Sequence, residues 1–259
     1  MKLKTPEQIK RMREAGLVLW ETHQTAFKAL AAGITTAELN AEIENYINGR
    51  HAIALFKGVP GVIPFPAAAC ISVNEEVVHG IPSNRRLQDG DIVSIDIGVK
   101  LNGWCADAAA TYAVGIIDEA TRSLLSVTEN MLREAIALLK TNSRWSHIAK
   151  KISKRTERAG FSIVEELVGH GIGTELWELP QVPNFYCPQL PDFRIKPGVV
   201  LAIEPMVNMG TKRVKTANDG WTVVTCDSRP SAHFEHTVAI TDDGPLVLTC
   251  GPSGEGWAM

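Results

Sequence analysis

The sequence predicts one large α/β or α+β domain, and three observations carry that reading. Amphipathic runs with three- and four-residue steps follow capped starts, short apolar runs sit between turn residues, and this order of elements occurs twice. The chain of 259 residues is long enough to bury a single sizeable core.

Thr5-Pro6-Glu7-Gln8 reads as a helix start, with Thr5 as cap, Pro6 in the first turn and Gln8 reaching back. Ile9, Met12, Gly16, Leu19, Trp20, His23, Phe27 and Leu30 then share helical spacing, and Gly33 is expected to end the helix. Thr35 with Glu38 makes a second capping box, opening a helix that carries Leu39, Ile43 and Ile47 toward Gly49. Residues 58–66 are loop by their proline and glycine content, and strands are expected near 69–73 and 91–99. The second half gives helices over 119–140 and 146–159, the latter closed by Gly160. Strands are expected near 161–168, 199–207, 222–226 and 236–241. Residues 89–96 and 196–204 each place an acid after the same turn and apolar run, which suggests two similar halves around a shared site. Residues 251–259 read as a flexible tail of the single catalytic domain, 1–259.

The bulk numbers narrow the function. A formal net charge of −3 argues against wholesale nucleic-acid binding, DNA included. No apolar run approaches the roughly 18 residues of a membrane span, and Met1-Lys2-Leu3-Lys4 lacks the apolar stretch of a signal peptide. The five cysteines (Cys70, Cys105, Cys187, Cys226, Cys250) are dispersed, odd in number and without a CxxC pair. Reduced thiols in a cytoplasmic protein are the simplest reading, with neither a structural zinc site nor a disulfide framework.

Chemistry concentrates at five residues inside or beside apolar runs: Asp96, Asp107, His170, Glu204 and Glu235. A buried unpaired carboxylate costs several kcal/mol, so four of them in strand-like segments demand a shared cation. Two divalent metals would neutralise four carboxylates, with one neutral imidazole as the fifth ligand, and such a pair is a hydrolase site. An oxygen-rich set with one nitrogen suits Mn, Fe, Co or Zn. Asn102-Gly103 is a strong hairpin signal. As a two-residue turn it pairs Leu101 with Trp104 and puts Asp96 opposite Ala109, two residues from Asp107 on the same face. The two aspartates are then diagonal neighbours, about 7–8 Å apart at the backbone, whereas a one-residue slip would send them to opposite faces.

Several motifs together resemble a known family. Residues 70–75 (CISVNE), 79–82 (HGIP), 94–98 (SIDIG), 169–173 (GHGIG), 203–206 (IEPM), 219–223 (DGWTV) and 234–237 (FEHT) resemble type I methionine aminopeptidase, in order and across nearly the whole chain. The short N-terminus is similar to the compact bacterial form. The resemblance implies the pita-bread fold, an α+β architecture of two pseudo-symmetric halves cupping a dinuclear site. It implies Asp96, Asp107, His170, Glu204 and Glu235 as ligands of two divalent cations, with Asp96 bidentate to one, His170 and Glu204 on the other, and Asp107 and Glu235 bridging. The implied reaction removes the initiator methionine from nascent polypeptide N-termini when the next residue is small. Glu204 would shuttle the proton, His79 would hydrogen-bond the scissile amide, and Phe65, Cys70 and Trp221 would line the methionine pocket.

The chain departs from the family pattern in two places, one of them the entrance loop around Val62 and Ile63, where the family is often aromatic and polar. The family carries a second histidine seven residues after the ligand histidine, where this chain has Trp177, still a substrate-contacting position by the resemblance. Indole donates one hydrogen bond but carries no proton. Two other readings follow: a related peptidase of the proline-specific type, or a non-catalytic binding module on the same fold. A monomer is expected, and Lys140, Arg144, Lys150, Lys151, Lys154, Arg155 and Arg158 offer a basic face for transient ribosome association.

Overall fold

The computed structural model describes residues 1–256. Helix α1 (Pro6–Ala29) starts at the expected box, where Thr5 Oγ1 accepts from Gln8 N and Gln8 Oε1 accepts from Thr5 N. It stops at Ala29, before Gly33: the Leu30 N–H closes the last turn, and Gly33 (φ +95°) then turns the chain so that its N–H donates to Leu87 O. Helix α2 (Thr36–Gly49) opens on the Thr35–Glu38 box. In the second half, α3 (Glu119–Leu138) is capped by Asp118, and α4 (Trp145–Arg158) is followed by Gly160 at φ +88°. Among the described residues no helix is long and apolar enough to cross a membrane, and all five cysteines are free.

The first half is organised by the long hairpin Ile92–Leu101/Trp104–Ala113. Asn102 (φ +50°) and Gly103 (φ +84°) form the tight turn, Leu101 pairs with Trp104, and Asp96 lies opposite Ala109, as the turn chemistry requires. Cys70–Val73 and Ile53–Ala54 share the other edge of Ile92–Leu101, with Cys70 directly across from Asp96. Helix α1 covers this sheet with Ile9, Met12, Ala15, Leu19 and His23. Gly16 lets its backbone approach Leu248 O so closely that a Cβ would sit 1.9 Å away.

The second half is a five-stranded sheet in the order Gly244–Val247, His236–Thr241, Val200–Ile203, Gly169–Gly171, Glu178–Val182. Here the single strand expected over 199–207 is two. Val200–Ile203 belongs to this sheet, and Met206–Asn208 belongs to a separate three-stranded sheet with Ser231–His233 and Ser162–Ile163. The break falls at Glu204-Pro205, because proline has no N–H for the ladder. The strand expected near 161–168 is likewise only Ser162–Ile163: Val164 N still reaches Met206 O, but the charged pair Glu165-Glu166 is exposed and ends the pairing.

The echo between halves is structural. Gly90 (φ +94°) and Gly198 (φ +89°) both turn the chain into a strand. Gly90 N donates to Val114 O and Val114 N to Asp91 O; Gly198 N donates to Ile240 O and Ile240 N to Val199 O. Each acid stands six residues after its glycine, at Asp96 and at Glu204. The halves are sewn together along Trp104–Ala113: Asp107 N donates to Thr237 Oγ1, Thr237 Oγ1 to Asp107 O, and Glu235 N to Ala109 O. The first residues of the expected flexible tail are held. Arg13 donates to the carbonyls of Leu248, Cys250 and Gly251, and Trp20 Nε1 to Gly256 O. Residues 257–259 of that tail lie outside the described residues.

Candidate metal centre

The four acids and the imidazole converge from five strands: Asp96, Asp107 and His170 lie within theirs, and Glu204 and Glu235 stand at the ends of theirs. Asp96 and Asp107 are diagonal across the hairpin, with Asp96 opposite Ala109 and Asp107 opposite Gly98. Glu204 and Glu235 face each other at a shared break. Ile203 pairs with His236 and Met206 with His233, so the continuing register puts Glu204 across from Glu235 and Pro205 across from Phe234. His170 comes from the short strand Gly169–Gly171 beside Ala202. Gly169 is required there, since a Cβ would lie 2.4 Å from Ala202 O.

All five side chains line one cavity of about 510 Å³. His170 Nε2 is 3.6 Å from Asp107 Oδ2 and 3.6 Å from Glu204 Oε1. Donor atoms of Asp107, His170 and Glu235 all lie within 4.8 Å of one another. Buried atoms Asp96 Oδ1, Asp107 Oδ1 and Glu235 Oε1 have no hydrogen-bond partner. Burial, with the charges of Asp107 and Glu204, drives the Asp96 carboxyl well above the usual carboxylate range. Burial, with the charges of Asp107, Glu204 and Asp96, does the same to Glu235. Asp107 is raised chiefly by burial, and burial pushes Glu204 up to about 8. Burial works against a charged His170, but the nearby carboxylates of Asp107 and Glu204 overcome it and raise the imidazole to about 9. Four carboxylates packed this closely repel one another, one imidazole cannot neutralise them, and orphaned oxygens remain. The donor set fits divalent cations, with oxygens in excess and one nitrogen.

The remaining predicted residues surround the same cavity: His79, Phe65, Cys70, Trp177 and Trp221 all line it. His79 sits at φ +59°, an uncommon conformation for a non-glycine residue. Gly80 follows it with an N–H bonded to Ser72 Oγ and no room for a side chain, since a Cβ would lie 2.4 Å from Ile71 O. Burial lowers the His79 imidazole. Trp221 packs edge-on against Phe65 (5.3 Å between ring centres) and against His79 (6.4 Å), and its Nε1 donates to Ile63 O. The loop 58–66 therefore folds onto the indole; a Cβ on Gly61 would be 2.3 Å from that ring. Val62, at the loop tip, is 88% exposed. Cys70 is buried, its thiol raised well above the ordinary range by burial and by the charge of Asp96. Trp177 is 58% exposed at the cavity rim, next to Leu179. Beneath it Glu178 forms a buried ion pair with Lys4.

One residue of this neighbourhood was not among the predicted ligands. His233 is buried beside Glu204, and its donor atoms lie with those of Glu204 and Glu235 within 4.8 Å of one another. Burial, with the nearby His79, lowers its imidazole to about 3. The available signal was its spacing, two residues before Glu235, which puts both on one face of an extended chain.

Residues 10–242 match the model of metallopeptidase family M24. The chain belongs to that family. Within M24 it falls among the methionine aminopeptidases. It is 50% identical over 246 residues to methionine aminopeptidase 1 of Bacillus subtilis, covering 95% of this chain and 98% of that one. Against the methionine aminopeptidase of Clostridium perfringens the identity is 48%, with 95% and 98% covered. The crystal structure of the methionine aminopeptidase from Thermotoga maritima superposes with a TM-score of 0.91 at 39% identity, covering 96% of this chain and 99% of that one. The prolidase of Pyrococcus furiosus, at 21% identity and a TM-score of 0.75, shares the fold, with 95% of this chain and 65% of that one covered. The M24 fold is the pita-bread fold, α+β, and its two halves are those joined along Trp104–Ala113.

Proposed function

We propose that this M24 peptidase removes the N-terminal methionine from nascent proteins and peptides whose second residue is small. The observation that carries the reading is the convergence of four buried carboxylates and His170 on a cavity that also has soft and aromatic walls. Asp96, Asp107, His170, Glu204 and Glu235 would hold two divalent ions. When bound, such ions supply Lewis-acid polarisation of a carbonyl and a water of lowered pKa.

The chain's own groups do the rest. Phe65, Cys70 and Trp221 receive the methionine side chain, whose thioether suits polarisable and aromatic surfaces. His79, at its left-handed backbone position, hydrogen-bonds the scissile amide, and Glu204 takes and returns the proton. Trp177 at the rim offers one N–H donor and carries no proton, so proton transfer falls to Glu204. The cytoplasm, where nascent chains emerge, is the compartment this substrate implies.

Release of methionine from a Met-Ala-Ser peptide by the metal-loaded chain tests the reading. Turnover is expected in the parent and lost by about 10²–10⁴ in Glu204→Ala; no turnover in the parent overturns it. For a co-translational enzyme we also propose docking on ribosomal RNA through α4, whose inner face (Trp145, Ile148, Ile152) is buried and whose outer face carries Lys150, Lys151, Lys154 and Arg158. Binding to ribosomes should weaken steeply as salt rises, and salt-insensitive or absent binding removes that idea.

A further inference from the structure

Behind Glu204 lies an imidazole that the proposed mechanism does not use. His233 is 1% exposed, yet neither Nδ1 nor Nε2 has a hydrogen-bond partner. A buried polar group left unmet costs about 1–3 kcal/mol, and a neutral imidazole has both a donor and an acceptor to satisfy. Loose packing does not explain it. The main chain of His233 is clamped by one hydroxyl: His233 N donates to Thr111 Oγ1 at 2.8 Å, and His233 O accepts from Thr111 Oγ1 at 2.9 Å.

His233 Nε2 lies 3.8 Å from Glu204 Oε2. That is too long for a hydrogen bond. It is within the span of two donors on one ion, because metal–nitrogen and metal–oxygen bonds of about 2.0–2.2 Å allow donors to stand up to about 4.2 Å apart. His170 Nε2 stands in nearly the same relation to the other oxygen, 3.6 Å from Glu204 Oε1. Two imidazoles thus flank one carboxylate, and Glu235 completes the second group of donor atoms.

We propose that His233 is a metal ligand, giving a second imidazole nitrogen to the ion held by Glu204 and Glu235. The proposal rests on the reading of this cluster as a metal centre. It makes the half of the site built by Glu204 richer in nitrogen than the half built by Asp96 and Asp107. A second imidazole shifts preference toward zinc, cobalt or nickel and away from magnesium or manganese. Glutamine at this position separates the two possible roles: its amide can still donate to Glu204, but it is a poor ligand for zinc.

The test is zinc titration of the metal-free full chain, followed by proton–nitrogen correlation spectra of the histidine rings. Ring nitrogens of two histidines are expected to move to zinc-bound positions, one lost in His233→Gln and the other in His170→Gln. The zinc affinity of His233→Gln should fall at least about 10-fold. Movement of the His170 ring alone in the parent overturns the assignment and leaves the metal centre standing. Movement of no ring overturns both. Should His233→Gln fail to fold, His170→Gln decides: one remaining zinc-shifted imidazole supports the proposal, and none refutes it.

Discussion

The two halves begin in the same way and finish differently. Each has a left-handed glycine, Gly90 or Gly198, that turns into a strand and presents an acid six residues later. In the first half the Asn102-Gly103 turn returns the chain at once, and the unbroken ladder from Ile92 to Ala113 fixes both aspartates. In the second half the next strand to pair with Val200–Ile203 arrives only at His236, after the intervening chain has built other strands and brought Trp221 to the cavity. There the acids do not sit within a ladder. Glu204 and Glu235 oppose each other where both strands leave one sheet for another. A tight turn places short carboxylates rigidly, while a paired break opens the backbone and leaves room for His233 and Met206 beside the longer ones.

If this comparison is right, the glycines should not be equal. Gly198→Ala adds a Cβ 2.9 Å from Lys4 O on top of its positive φ, whereas the Cβ at Gly90 would meet nothing nearer than Ile116 O at 3.7 Å. Left-handed strain alone costs about 1–2 kcal/mol; overpacking adds about 1–3 kcal/mol. Urea unfolding should therefore rank Gly198→Ala well below Gly90→Ala, with Gly103→Ala, which meets nothing within 4 Å, mildest or equal to Gly90→Ala. Equal losses at Gly90 and Gly198 would break the asymmetry.

A smaller effect concerns pH. In the metal-free chain the folded carboxyls hold protons more tightly than the unfolded ones, Glu204 up to about 8, and His170 up to about 9 acts in the same direction. The folded state therefore binds more protons than the unfolded state between pH 7 and 8, and stability falls as pH rises through that window. Below about 6.5, the ordinary histidine value, the trend is opposed by His23, lowered by burial to about 4, and His236, lowered by burial to about 3. Melting of the metal-free chain should drop from pH 7 to 8, and metal should flatten the slope. A metal-free chain whose melting is level across the window contradicts the charge crowding.

Local signals made much of this readable in the sequence. Both capping boxes, the Asn-Gly turn and its register, and the repeated turn-plus-acid run appear as written. What stayed hidden depends on distant chain. The strand over 199–207 looked continuous because apolar periodicity does not report that its two ends pair with different sheets. Gly169–Gly171 is a strand because Val200–Ile203 lies on one side of it and Glu178–Val182 on the other, and neither Gly169–Gly171 nor Glu178–Val182 carries much strand propensity in its sequence. Beyond its spacing to Glu235, His233 carries no signal of its own in the sequence, because its place beside Thr111 and Glu204 depends on segments about 30 to 120 residues away.

Acids from both halves are expected to share one metal pair, which calorimetric titration of the metal-free chain with cobalt reads out. Two ions per chain are expected, with binding weakened both by Asp96→Asn in the first half and by Glu204→Gln in the second. No binding, or binding that either substitution leaves unchanged, would contradict a site built jointly by the two halves.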